Sequence, residues 1–176
     1  MPATSRFRHR SRMAAFTSTT GYRALRKGRV SIPGQVYLVT TVCRNRQPWF
    51  GEWHCARVAA SALGESRLWR GSQPLCWTLM PDHLHALVAL GADEPLSRLM
   101  QRIKAVTARA AIRADGSRDA HLWMPGFHDR ALRRDEDLLA VARYVIANPL
   151  RAGLASSVAA YPFWDAIWIG NGLDLP

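Results

Sequence analysis

Met80-Pro81-Asp82-His83-Leu84-His85-Ala86-Leu87-Val88 is the stretch whose reading decides the architecture. Residues 74–80 (PLCWTLM) form a short apolar run, and residues 83–90 form another. Pro81-Asp82 between them is a tight connection, so the two runs read as an antiparallel hairpin. Side chains alternate faces along a strand, which points His83 and His85 the same way.

A second stretch is Arg143-Tyr144-Val145-Ile146-Ala147-Asn148-Pro149-Leu150-Arg151-Ala152-Gly153. On a helix Tyr144 and Asn148 are i,i+4 neighbours and share a face. Pro149 marks the helix end, because the residue before proline avoids the helical region.

Outward from these, residues 35–44 (QVYLVTTVCR) read as a first strand and residues 52–70 as a first helix. Residues 96–113 carry Leu96, Leu99, Met100, Ile103, Val106 and Ala110 in an apolar helical stripe. Residues 127–132 form a short fourth strand, residues 135–147 the last long helix, and the aromatic tail 161–168 packs back onto the body. The order β-α-β-β-α-β-α predicts an α+β sandwich of the ferredoxin-like kind, a mostly antiparallel sheet with helices on one face. At 176 residues the expected division is a basic N-terminal arm over 1–30 and a single domain over 31–176.

Charge supports that division. Residues 1–51 hold ten Arg or Lys and no acid, and the remainder holds fourteen basic and thirteen acidic residues. A basic arm on a near-neutral body points to a polyanion, most often nucleic acid. The candidate contacts are Arg23, Arg26, Lys27 and Arg29 in the arm, Arg44 and Arg46 after the first strand, Lys104 (with Arg102) on the second long helix, Arg133 and Arg134 before the tyrosine helix, and Arg151 after it. Trp49 and Trp53 are candidates for stacking on splayed bases. Cys43, Cys55 and Cys76 show no CxxC spacing and read as buried free thiols in a reducing compartment. No apolar run approaches a membrane span, so a cytoplasmic, nucleoid-associated protein is expected.

Two imidazoles on one strand face and the Asn148 amide oxygen could hold a divalent ion, and oxygen-imidazole ligation suits Mg²⁺ or Mn²⁺. Asn148 could equally be a helix C-cap that needs no metal. Asp82 could orient a histidine or cap the turn. A phenol beside such an ion is a kit for breaking a phosphodiester through a covalent tyrosine intermediate. Two other readings use the same residues: a non-catalytic DNA-binding protein and a phosphodiesterase acting on small substrates or RNA.

Together WTLMPDHLHALV and RYVIANPLRAGL resemble the HUH superfamily of single-tyrosine DNA nucleases and transposases. Within it the chain is most similar to the REP-associated tyrosine transposases, relatives of the IS200/IS605 transposases. The segments VYLVTTVCRNRQPWF, RLMQRIKAVTARA and LWMPGFHDRALR extend the match over roughly residues 21–165. The resemblance implies that His83, His85 and Asn148 bind Mg²⁺ or Mn²⁺ and that Tyr144 is the nucleophile. It implies a single-stranded DNA substrate near an imperfect hairpin, with Tyr144 joined to the 5′-phosphate and a 3′-hydroxyl released. IS200-type relatives work as dimers that exchange tyrosine helices, whereas this subgroup can act as monomers, and a monomer is expected here.

Overall fold

The computed structural model describes residues 31–116, 121–133 and 136–168. The arm residues Arg23, Arg26, Lys27 and Arg29, and Arg134, lie outside them. The strands are β1 (Val36–Val42), β2 (Gln73–Met80), β3 (His83–Ala89), β4 (His128–Ala131) and β5 (Trp164–Ala166). The helices are α1 (Trp53–Leu63), α2 (Ser66–Trp69), α3 (Leu96–Asp115), α4 (Leu138–Ile146) and α5 (Asn148–Arg151). The strands pair antiparallel in the order β4-β1-β3-β2-β5, the α+β class read from the hairpin.

The predicted helix over 52–70 is two helices. Gly64 ends α1, Glu65 is extended (φ −79°, ψ 120°), and the indole of Trp69 donates to the Leu63 carbonyl at 2.8 Å, closing the first helix before the second begins. β5 falls in the aromatic tail, where the sequence carries no strand pattern. Three residues are too few to show a period, and their strand identity comes from β2: Ile167 N donates to Leu75 O at 3.0 Å.

The layering departs from the sequence expectation in one respect. α1 and α3 pack on one face of the sheet, against Tyr37, Val39, Trp77, Leu79, Leu84, Ala86 and Val88. α4 packs on the other, against Leu75, Cys76, Leu87, Val36 and Leu38. Leu87 and Val88 are both 0% exposed, so β3 is covered on both sides. An apolar helix stripe says that a face is buried, not which side of a sheet buries it.

α4 begins where the Asp137 carboxylate accepts from the amides of Leu139 and Ala140 at 2.9 and 3.1 Å. It ends at Ile146, one residue sooner than predicted, and α5 starts at once. Pro149 sits in the first turn of α5, where its missing N–H costs nothing. The proline therefore ends one helix and opens the next, and Asn148 stands at the junction.

Candidate functional site

His83 and His85 open β3 directly after the Pro81-Asp82 turn, on the face covered by α4. Register fixes their neighbours: His85 lies opposite Thr40 of β1 and Thr78 of β2, and His83 opposite Val42 and Met80. Residues directly opposite share a sheet face. The Thr40 hydroxyl is 2.8 Å from His85 Nδ1, and the Asp82 carboxylate is 2.5 Å from His83 Nδ1. The rings meet edge to face with centroids 4.7 Å apart.

Both Nδ1 atoms are thus engaged by a neighbour, which sets each ring's orientation and leaves Nε2 for a ligand. Burial pushes the His85 imidazole down to about 4, and the positive charges of Arg151 and Arg46 push the same way. His85 is accordingly neutral at neutral pH, the form that donates a lone pair. The Asp82 carboxyl lies below its usual range through its hydrogen bond to His83, with Arg46 Nη1 3.0 Å away adding to the effect. Asp82 therefore orients a histidine, and Arg46 orients Asp82.

α4 is tied down beside His85. The Thr78 hydroxyl donates to the Val145 carbonyl at 3.0 Å. Asn148 Nδ2 donates to that same carbonyl at 3.0 Å and to the Tyr144 carbonyl at 3.1 Å. A short chain of contacts thus runs from His85 through Thr78 and the Val145 carbonyl to Asn148. Asn148 is 9% exposed and caps the end of α4 through its nitrogen, so its Oδ1 is turned away from those carbonyls. Its one hydrogen bond at Oδ1 is a long 3.4 Å contact from Arg151 Nη2. The cap and ligand roles fall on different atoms and are compatible.

Arg151 binds this end of the site together. Its guanidinium lies 3.8 Å from the centroid of the Tyr144 ring, Nη1 donates to the Tyr144 carbonyl at 3.3 Å, and its charge reaches His85. Tyr144 is 52% exposed. Two imidazoles fastened at Nδ1, one of them held neutral, with an amide oxygen at the adjoining helix junction, fit a hard divalent ion. Thr40 and Thr78 escaped sequence reading, because only strand register shows that they flank His85.

Among the remaining predicted contacts, Arg44 and Arg133 are exposed, while Arg46 is held by Asp82. The Lys104 ammonium donates to the carbonyls of Met124 and Gly126 at 2.5 and 2.7 Å, on the helix layer away from the histidines. An i,i+3/i+4 pattern cannot reveal that a distant loop offers two carbonyls. Arg102 pairs with Glu94 and donates to Leu68 O at 2.7 Å. Trp53 stays 60% exposed against Phe163, and Trp49 is half-buried. The three cysteines are buried free thiols, as expected. A second metal-capable group, His54, Cys55 and Asp115, has its ligand atoms within 4.8 Å of one another between α1 and the end of α3. Among the described residues no helix is long and apolar enough to cross a membrane.

Known proteins match this chain as follows. The family model described as "Transposase IS200 like" matches residues 32–148. A REP-associated tyrosine transposase of Escherichia coli (strain K12) is 27% identical over 89 residues, 49% of this chain and 50% of that protein. The chain thus spans about half the length of the curated relative it matches. A solved structure of a REP-associated tyrosine transposase bound to a REP hairpin aligns with a TM-score of 0.58 at 25% identity, covering 77% of this chain and 79% of that one.

Proposed function

The chain belongs to the IS200-like transposase family, and from that premise we propose that it is a metal-dependent single-stranded DNA endonuclease and strand transferase. Its substrate is DNA beside a hairpin, of the kind the REP-bound relative holds. The observation that carries the reading is the pair His83 and His85, each fastened at Nδ1, under the helix that bears Tyr144 and Asn148.

In this reading His83 and His85 through Nε2 and Asn148 through Oδ1 hold Mg²⁺ or Mn²⁺. When bound, the ion polarises the scissile phosphate and offsets its charge. Tyr144 Oη attacks phosphorus, the bond from phosphorus to the 3′-oxygen breaks, and the 5′-phosphate stays on the tyrosine. The phenol proton passes to solvent and the departing 3′-oxygen takes one up. Arg151, lying against the Tyr144 ring, supplies positive charge beside the attacking oxygen and the phosphate. Rejoining is the reverse attack by a 3′-hydroxyl, so no external energy is needed.

Incubating the protein with labelled single-stranded hairpin DNA and Mn²⁺ should yield an adduct that survives denaturation. Tyr144→Phe should abolish the adduct while retaining DNA binding, at a stability change below ~1.5 kcal/mol because one oxygen is lost and little volume changes. An adduct persisting in that variant removes Tyr144 from the nucleophile role, and full cleavage in EDTA removes the metal.

A further inference from the structure

The start of α1 meets the end of α3 on the helix layer away from the histidines. The Cys55 thiol donates to the carbonyl of Ala111, 56 positions on, at 3.6 Å. Arg102, nearer the start of α3, instead reaches Leu68 beyond the end of α1, so the two helices run antiparallel. At their junction one ligand atom from each of His54, Cys55 and Asp115 lies within 4.8 Å of the other two. His54 Nε2 stands 3.9 Å from Asp115 Oδ1, too far for a hydrogen bond between them.

Burial is graded across this group. Cys55 is 0% exposed and forms its floor, while the side chains of His54 and Asp115 are 49% and 34% exposed. An ion can enter from solvent between the imidazole and the carboxylate and meet the sulfur beneath. Each helix end suits what it carries. Cys55 lies in the first turn of α1, whose unpaired amides favour an anionic sulfur, and Asp115 is the last residue of α3, whose unpaired carbonyls favour a cation. The carboxylates of Asp115 and Glu52 are close enough for their charge to be felt at the Cys55 sulfur. A tetrahedral ion with bonds of ~2.0–2.3 Å holds its ligand atoms roughly 3.3–3.7 Å apart, so shifts of about 1 Å in the half-exposed side chains close the group.

We propose that His54, Cys55 and Asp115 form a second metal site, for Zn²⁺ or a similar thiophilic divalent ion, which staples the start of α1 to the end of α3. Its sulfur sets it apart from His83, His85 and Asn148, which offer only nitrogen and oxygen. As the sulfur–metal bond forms, the Cys55 proton passes to solvent and a water leaves the ion's hydration shell. Thiolate and carboxylate together balance the charge of a divalent ion, and the fourth position is left to water. The backbone N–H of Phe50 donates to Pro81 O at 2.9 Å. The segment entering α1 is therefore tied to the turn before His83, and the staple steadies that turn from behind.

The test uses the full chain, stripped of metal with a chelator, kept reduced by a phosphine and titrated with Co²⁺. A cobalt–thiolate bond gives a charge-transfer band in the near ultraviolet, which a nitrogen and oxygen site cannot give. The parent should develop this band to saturation, Zn²⁺ should abolish it by displacement, and excess Mg²⁺ should not. Cys55→Ala should lose it. His54→Gln and Asp115→Asn, at side chains outside the core, should each raise the Co²⁺ dissociation constant by at least the ~10–100-fold that loss of an outer partner costs a metal site. These two variants decide the matter if Cys55→Ala does not fold. His83→Ala/His85→Ala should keep the band. Its absence from the parent overturns the proposal, as does its survival in Cys55→Ala or its displacement by Mg²⁺. Parental Co²⁺ affinity in both His54→Gln and Asp115→Asn reduces the group to a lone thiol and overturns it too. A failure of Tyr144 to form adducts leaves this readout untouched, because the band reports the Cys55 sulfur alone.

Discussion

Asn148 carries two separable jobs on two atoms, and substitution should pull them apart. Asn148→Ala removes the Nδ2 bonds to the Tyr144 and Val145 carbonyls. Neither carbonyl is orphaned: Thr78 Oγ1 still reaches Val145 O at 3.0 Å, and Arg151 Nη1 still reaches Tyr144 O at 3.3 Å. The loss is then two net hydrogen bonds at ~0.5–1.5 kcal/mol each, about 1–3 kcal/mol in all. For a chain of this size that is a fall in Tm of roughly 4–8 °C for ~2 kcal/mol. Asn148→Asp loses the same two donors and sets carboxylate oxygens against the two carbonyls, so without metal it should be less stable than the alanine variant. If Oδ1 is a ligand, the carboxylate binds the ion at least as well as the amide. Mn²⁺ at 100 times the dissociation constant should then stabilise the aspartate variant by ~2.7 kcal/mol, and leave the alanine variant with a smaller gain than either the aspartate variant or the parent. Thermal melts in EDTA and in Mn²⁺, beside adduct formation, read both effects. The cap argument fails if Asn148→Asp melts like the parent in EDTA. The ligand argument fails if Asn148→Ala forms adduct at the parental rate with an unchanged Mn²⁺ requirement.

His85→Ala should lower cleavage far more than DNA binding, measured side by side on the hairpin substrate; equal losses would make it a contact residue. The His85 imidazole is pushed down to about 4 in the fold from an ordinary 6.5, so the unfolded chain takes up the proton first. The stability it contributes is present above 6.5 and is lost as pH falls through about 4, up to about 3 kcal/mol on the scale of ~1.4 kcal/mol per pH unit. Urea titrations in EDTA across that window should show the loss, and His85→Gln should show less of it. Lys104→Met should leave DNA affinity unchanged but cost about 2–4 kcal/mol, because two carbonyls lose a charged donor. Weakened DNA binding at full stability would place Lys104 at the interface. Deleting residues 1–30 removes eight basic residues and no acid; single-stranded DNA affinity should fall and its salt slope flatten by ~0.7 per lost contact, with adduct still forming slowly at low salt.

Local pattern by itself determined a good deal here. Period-two alternation placed His83 and His85 on one strand face, and the Pro81-Asp82 turn made the hairpin. The i,i+4 spacing of Tyr144 and Asn148 and the apolar stripe of α3 are likewise visible to an eye that knows only 3.6 and 2. These are properties of neighbours a few residues apart, and backbone geometry ties them directly to the order of residues. What the tertiary structure decided is which distant groups meet. Sheet register brought Thr40 and Thr78 to either side of His85. The choice of sheet face put α4 over the histidines and α3 away from them, which made Lys104 a brace for a loop. The packing of α5 swung Arg151 back over Tyr144, and pairing with β2 turned a three-residue piece of the tail into β5. Each of these depends on contacts between segments tens of residues apart. Their energies come from burial and hydrogen bonding across the fold, to which a local window is blind.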